Sequence, residues 1–196
     1  MVIYTTSQTT ADLEGIIALQ QKNLARNLDA QEIQEQGFVT VVHSLADLEQ
    51  MNAIEQNTIA KDGDQVVGYL IAMTAASRNA IPILKPMFEL FDNLEYNGKR
   101  VSEYNYMVVG QVCIDKAVRG QGVLDACYEH YKNNFRNRYD FAITEIALSN
   151  QRSLNAHKRI GFTELHRYTA PDGEAWSIVT WNWTQNNEQG MLNIEH

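Results

Sequence analysis

Apolar positions along this chain change their spacing several times, and each change predicts an element. Residues 2–5 read as a short first strand. From Thr10 to Leu24, Leu13, Ile16, Ile17 and Leu24 keep near-helical spacing with Gln20 on the same face, and Thr10 or Ser7 is available as the cap. Residues 29–36 predict a short helix stopped by Gly37. Ser44, with Asp47 three residues on, has the pattern of a capping box for a helix over 44–56, where Leu45, Leu48, Met51 and Ile54 share a face. The period then becomes strand-like. Residues 57–61 and 65–74 flank Asp62-Gly63, a hairpin turn sequence. Residues 75–104 show no sustained period; Pro82 and Pro86 surround a short predicted helix over 87–94, and the stretch is expected to be a variable element or lid.

Tyr106 to Ile114 reads as a strand interrupted by Gly110, where a bulge or a close backbone approach is expected. A turn containing Gly120 and Gly122 leads into a helix carrying Leu124, Cys127, Tyr128, Tyr131 and Phe135 on one face. A buried strand over 141–148 follows, then a helix over 151–160 ended by Gly161. Residues 162–169 and 175–183, joined by Pro171-Asp172-Gly173, predict a last hairpin. This order gives a mixed α/β sheet with one parallel crossover in its middle. The length of 196 residues fits a single domain over 1–184, with a polar tail at 185–196.

Composition narrows the function classes. An apolar fraction of 44% with 20% charged residues excludes disordered and collagen-like chains. A net charge of −8 argues against nucleic acid as a partner. No apolar run is long enough to span a bilayer, so no membrane association is expected. The N-terminus lacks a basic stretch followed by an apolar one, and Cys113 and Cys127 are too few for a disulfide framework or a structural zinc site. A reduced, cytoplasmic protein is expected. His43, His130, His166 and His196 show no ligand spacing, so no metal is expected either. One asymmetry stands out: residues 116–167 hold nine Lys/Arg against five Asp/Glu, within an otherwise acidic chain. That fits a polyanion bound locally, and equally a chance cluster of helix-surface charges.

The segment Ile114 to Leu124, I-D-K-A-V-R-G-Q-G-V-L, runs from strand through a two-glycine turn into a helix. Such a turn points successive amides into one concavity, and the helix N-terminus and Arg119 add positive charge, which suits a pyrophosphate. The Gly-Lys-Ser/Thr of a Walker A loop is absent, and so is the third glycine of a dinucleotide fingerprint. A turn without any ligand is the plain alternative. About 30 residues on comes N-Q-R-S-L-N-A-H-K-R-I-G-F, Asn150 to Phe162.

Strand, R-G-Q-G turn, amphipathic helix, strand and Asn-x-x-Ser-x-x-x-His before Ile-Gly-Phe together resemble the GNAT superfamily of acyl-CoA-dependent N-acetyltransferases over residues 106–168. The resemblance implies an α/β (α+β) fold: a mixed, mostly antiparallel sheet with a central splayed parallel strand pair, flanked by helices. It implies acetyl-CoA, or another short acyl-CoA, as cosubstrate in the opening between the central strand and strand 141–148. The pantetheine arm and acyl group would lie along Val112, Cys113 and Ile114. The pyrophosphate would rest on Arg119, Gly120, Gln121, Gly122, Val123 and Leu124, and Asn150 and Asn155 would face the same channel. The acceptor would be a primary amine of a small molecule or peptide, attacking directly in a ternary complex. Residues 29–56 and 75–104 are expected on the acceptor side, and a homodimer is the assembly left open.

Two departures matter. Leu124 stands where the family's loop usually has Gly or Ala, and His157 stands where many relatives have a Tyr that protonates the departing thiolate. His157 is a candidate proton donor, directly or through water, or else a packed histidine. Glu145, Glu103, Tyr104 and Tyr106 are candidates for the general base, none at a sharply matching position. Cys113 beside His157 could form a nucleophilic pair, but a cysteine in a buried strand behaves as an inert hydrophobe. The rival function is a non-catalytic acyl-CoA-binding regulatory module; a dinucleotide-dependent enzyme is the third reading.

Overall fold

The structure, a computed structural model, describes residues 1–29, 31–33, 38–39 and 41–183. Half of the helix expected over 29–36, its stop at Gly37 and the tail 185–196 lie outside the described residues.

The elements in chain order are β1 Val2–Thr6, α1 Thr10–Asn23, α2 Leu45–Ile54, β2 Thr58–Asp62, β3 Gln65–Met73, the short α3 Ser77–Ala80, α4 Lys85–Asn93, β4 Glu95–Tyr96, β5 Lys99–Arg100, β6 Tyr106–Ile114, α5 Val123–Phe135, β7 Phe141–Ala147, α6 Gln151–Ile160, β8 Thr163–Thr169 and β9 Ala175–Asn182. The cap of α1 is Thr9, rather than Thr10 or Ser7. Its hydroxyl accepts from the Asp12 amide while the Asp12 carboxylate accepts from the Thr9 amide, a reciprocal pair that Thr10 could not make with Leu13. Ser44 and Asp47 cap α2 in the same way, as the sequence predicts.

Seven strands form one sheet in the order β1-β2-β3-β6-β7-β9-β8, and every adjacent pair is antiparallel except β6 with β7. Apolar side chains fill both faces. Leu13, Ile16, Leu48, Met51, Phe88 and Phe91 cover one side, and Val123, Cys127, Tyr128, Tyr131 and Phe135 of α5 cover the other. Burying a large apolar side chain contributes roughly 1.5–3 kcal/mol, so these two faces hold the sheet between its helices.

The stretch 75–104 is not a loose lid. Phe88, Phe91 and Val101 are fully buried, and Arg78 and the Tyr106 hydroxyl both bond the Asp92 carboxylate, at 2.6 and 2.7 Å. A segment anchored by that much core cannot open independently.

The centre of the sheet sets up the site. The parallel β6–β7 pairing lasts only three rungs, Tyr106↔Phe141, Met107↔Ala142 and Val108↔Ile143. The Thr144 hydroxyl then donates to Val109 O at 2.8 Å, and past that bond the strands part. A bulge explains the parting. On β3, Leu70 faces Val112 and Ala72 faces Val109, so Gly110 and Gln111 oppose Ile71 alone and β6 bends. Met73 packs against Gly110, where a Cβ would lie 2.6 Å from the Met73 Cε and would push that flexible side chain aside. Among the described residues, no helix is long and apolar enough to cross a membrane.

Candidate functional site

A cavity of about 650 Å³ opens between the end of β6, the start of α5 and the outer face of α6. Its floor is the turn after β6. Asp115 accepts from the Ala117 amide and starts a tight turn over Lys116–Val118. Gly120 and Gly122 then take φ of +76° and +80°, which other residues rarely adopt, and Gly122 becomes the N-cap of α5. A Cβ built on either glycine would meet nothing within 4 Å, so the concavity they form is open. No side chain caps α5, and its first amide to bond backward is Ala126 to Gly122 O, at 3.1 Å. The Val123, Leu124 and Asp125 amides are therefore not used within the helix, and they carry its partial positive charge.

Most of the residues singled out in the sequence meet here. Val112, Cys113, Ile114, Arg119, Gly120, Gly122, Val123, Leu124, Asn150 and Asn155 all line the cavity, as does His157. Gln121 does not: its side chain turns away to donate to Ala117 O at 3.1 Å. The Leu124 side chain is accommodated at the wall and leaves the concavity open.

Arg119 lines the cavity, but its guanidinium is also engaged inward. Nε donates to Ile114 O at 2.9 Å and Nη2 to Asn23 Oδ1 at 2.7 Å, tying the turn to β6 and to the end of α1. Burial, and the neighbouring Arg152, lower its pKa. Arg152 and Arg159 line the cavity as well, and Arg159 pairs with Asp125, joining α5 to α6.

His157 is 3% exposed. Its Nδ1 lies 2.8 Å from Ser153 O, which can only accept, so Nδ1 carries the proton. Nε2 therefore accepts from the Tyr128 hydroxyl, at 2.6 Å. Burial depresses the imidazole pKa to about 4, against the partial support of the Ser153 carbonyl. With both nitrogens occupied and the ring neutral, these surroundings do not suit an imidazolium donor; they are those of a packed histidine. Burial likewise pushes the Cys113 thiol up to about 12, which disfavours the thiolate that a nucleophile needs.

A second, small cavity of about 90 Å³ lies where β6 and β7 have parted. It shares Asn150, Ser153 and His157 with the larger one and reaches Glu145 and Trp176. Glu145 is held by a bond from the Tyr168 hydroxyl at 2.7 Å, and burial raises its pKa, with that bond opposing. The other base candidates are used elsewhere. Glu103 accepts from the Arg100 amide, Tyr104 donates to Tyr96 O and Tyr106 donates to Asp92.

Over this split runs the segment after α1. Phe38 and Val39 line both cavities, and Asn150 Nδ2 donates to Phe38 O at 3.3 Å. On the opposite side Gln111 Nε2 donates to Val41 O at 2.9 Å, while Gln111 Oε1 accepts from Gln20 and from Tyr69. Sequence reasoning placed residues 29–56 on this side in general but missed Phe38 and Val39, and it missed Asn23, Arg152, Ser153 and Trp176. Residues 75–104, expected beside the acceptor, line neither cavity. Among the described residues, no group of three His, Cys, Asp or Glu could hold a metal.

An acyl-CoA fits these features. The concavity is open where side chains would fill it, the first α5 amides are not used within the helix, and the volume is within the roughly 300–1,000 Å³ of small-molecule sites.

No family model matches the chain, and no curated protein matches it. Solved structures do. An acetyltransferase of the GNAT family from Streptococcus agalactiae superposes with a TM-score of 0.64 at 9% identity, covering 92% of this chain and 95% of that one. The ribosomal-protein-S18-alanine N-acetyltransferase from Escherichia coli gives 0.58 at 15% identity, covering 93% and 94%. Arabidopsis thaliana NAA60, solved in complex with acetyl-CoA, gives 0.56 at 9% identity, covering 93% and 99%. With its seven-stranded mixed sheet, its parallel β6–β7 pair and its bulged central strand, the chain has the GNAT fold.

Proposed function

We propose that this protein is an N-acetyltransferase that moves an acetyl group from acetyl-CoA to a primary amine by direct attack in a ternary complex. The observation that carries the reading is the adjacency of the two cavities, which share lining residues such as Asn150, Ser153 and His157: an open glycine turn at one end, the partly buried Glu145 carboxylate at the other, and a split sheet between them. The cosubstrate would bring an activated thioester.

The chain's own residues do the rest. The turn amides and the start of α5 hold the diphosphate. Beyond Val109, β6 is paired only with β3, so the alternate backbone groups of Gln111 to Ile114 that do not serve that ladder face the split. An amide there polarises the acyl carbonyl, an effect on the order of 3 kcal/mol per donor. Glu145 takes the first proton from the acceptor ammonium and passes it to solvent. As the N–C bond forms and the C–S bond breaks, the nitrogen's second proton passes to the sulfur through water in the open cavity.

Calorimetry with acetyl-CoA, followed by thiol release with a panel of primary amines, tests the reading. Binding together with release supports it. The second reading, a regulatory module that binds acyl-CoA without turnover, draws on the neutral, buried His157; it predicts binding with no release from any amine. Arg119→Ala is expected to weaken acetyl-CoA binding by about 1–3 kcal/mol, because the turn loses its bonds to Ile114 and Asn23. An unchanged dissociation constant would remove Arg119 from the site.

A further inference from the structure

The small cavity in the split sheet also limits what can be acetylated. Its volume of about 90 Å³ is room for roughly three water-sized groups at ~30 Å³ each. Its walls combine polar side chains, among them Thr144, Asn150 and Ser153, with apolar Phe38, Val39 and Trp176, and its carboxylate is Glu145. Charge and size together select an ammonium on a short substituent.

The walls are fixed. Gln111 holds the overlying segment through Val41 and is itself held by Tyr69, at 2.6 Å, and by Gln20, at 2.9 Å. Gln20 also bonds the His43 ring, at 2.8 Å, and accepts from the His43 amide, at 2.9 Å. Asn150 holds the same segment through Phe38 from the α6 side. Phe38 and Val41, bonded to opposite banks of the split, cannot swing aside for a larger group without breaking the Asn150 and Gln111 bonds and straining the buried pair between Gln20 and His43. Trp176 closes the far side. It pairs with Ala147 of β7 and with Tyr168 of β8, whose hydroxyl holds Glu145, so one face of the sheet presents the indole and the carboxylate together.

We infer that the acceptor is a compact primary amine: the carbon bearing the ammonium carries hydrogen, methyl or hydroxymethyl, and Trp176 with the Phe38–Val39 segment excludes branched and aromatic substituents. The inference rests on the acetyltransferase reading. It concerns the amine and its first carbon, which a free amine and the first residue of a peptide present alike.

The test compares glycinamide, alaninamide, serinamide, leucinamide and phenylalaninamide as acceptors for the full chain, with thiol release giving kcat/KM. The expected result is a loss of about tenfold or more from alaninamide to leucinamide and phenylalaninamide. Equal or better turnover of the two large amines overturns the inference while leaving the acetyltransferase reading intact. Thiol release from none of the amines, with acetyl-CoA bound, overturns both. A peptide beginning with Ala against alaninamide decides the source: a gain for the peptide assigns an N-terminus, and parity a free amine, both within the inferred class. Trp176→Ala is expected to narrow the alaninamide preference to less than about threefold by opening the far wall. A folded Trp176→Ala protein, checked by circular dichroism, that keeps the full preference removes Trp176 as the selecting residue; the wild-type series stands on its own if the variant does not fold.

Discussion

Replacing Glu145 with glutamine is expected to lower kcat/KM for acetyl transfer by about 10²–10⁴-fold, the usual contribution of a positioned base. Glutamine keeps the shape and can still accept the Tyr168 hydroxyl, so the acetyl-CoA dissociation constant should not move. The pH profile gives an independent readout. Burial in the split raises the Glu145 carboxyl above its ordinary 4.5, so the wild-type rate should climb with pH as this group loses its proton. That limb should be missing in Glu145→Gln. Stability should move the other way. A carboxyl whose pKa is raised by folding favours the folded state at low pH and costs stability once pH passes through the folded value. At neutral pH the neutral glutamine should therefore leave the melting temperature unchanged or higher. A rate loss of less than about tenfold, with the acid limb retained, would show that the proton goes elsewhere.

The residues of the proposed cofactor half were more legible in the sequence than those of the proposed acceptor half, for a physical reason. A turn that cradles an anion needs its glycines, helix start and basic residue within a few positions of one another, so Arg119, Gly120 and Gly122 are visible together. Gly110 is also legible, because a glycine inside an apolar strand marks a bulge, and the bulge is what parts β6 from β7. The acceptor half is assembled from residues far apart in the chain. Asn150 reaches Phe38 across 112 positions and Gln111 reaches Val41 across 70, and no local spacing announces such pairings. Phe38 and Val39 belong to no periodic pattern in the sequence, and Val39 joins the fold through a bridge to Leu24. Residues 75–104 misled for the opposite reason. Their prolines and broken period resemble a free loop, yet Phe88, Phe91 and Val101 drop into the core, which outweighs weak local propensity. Arg119 was correctly placed at the turn, but its partners Ile114 O and Asn23 are a matter of tertiary packing. Nothing in the local sequence separates an arginine that grips a ligand from one that braces the loop beneath it.

His157 is expected to matter for stability more than for turnover. Its ring packs against Tyr128 and Phe162, with centroids 5.5 and 5.0 Å away, and fills the space between α5 and α6. His157→Ala would leave a cavity and strand the Tyr128 hydroxyl, at a cost of about 3 kcal/mol or more. The gentler His157→Gln retains a polar partner for Tyr128 and removes the titration, which makes it the sharper probe. In the native protein the ring resists protonation down to about 4, because burial penalises the charged form, whereas in the unfolded chain it takes a proton near 6.5. Its contribution is therefore complete above pH 6.5 and is lost as pH falls from 6.5 to 4. At 1.36 kcal/mol per pKa unit the loss is about 3 kcal/mol. His43 and His130, both lowered by burial, add to the slope with the same sign. Urea unfolding at pH 7 and pH 4.5 should thus show a steeper decline for the wild type than for His157→Gln. Equal declines would mean that the ring is not held neutral. The folded His157→Gln protein should also keep its turnover within about tenfold at pH 7, and a loss of 10² or more would restore His157 as the proton donor to the departing sulfur.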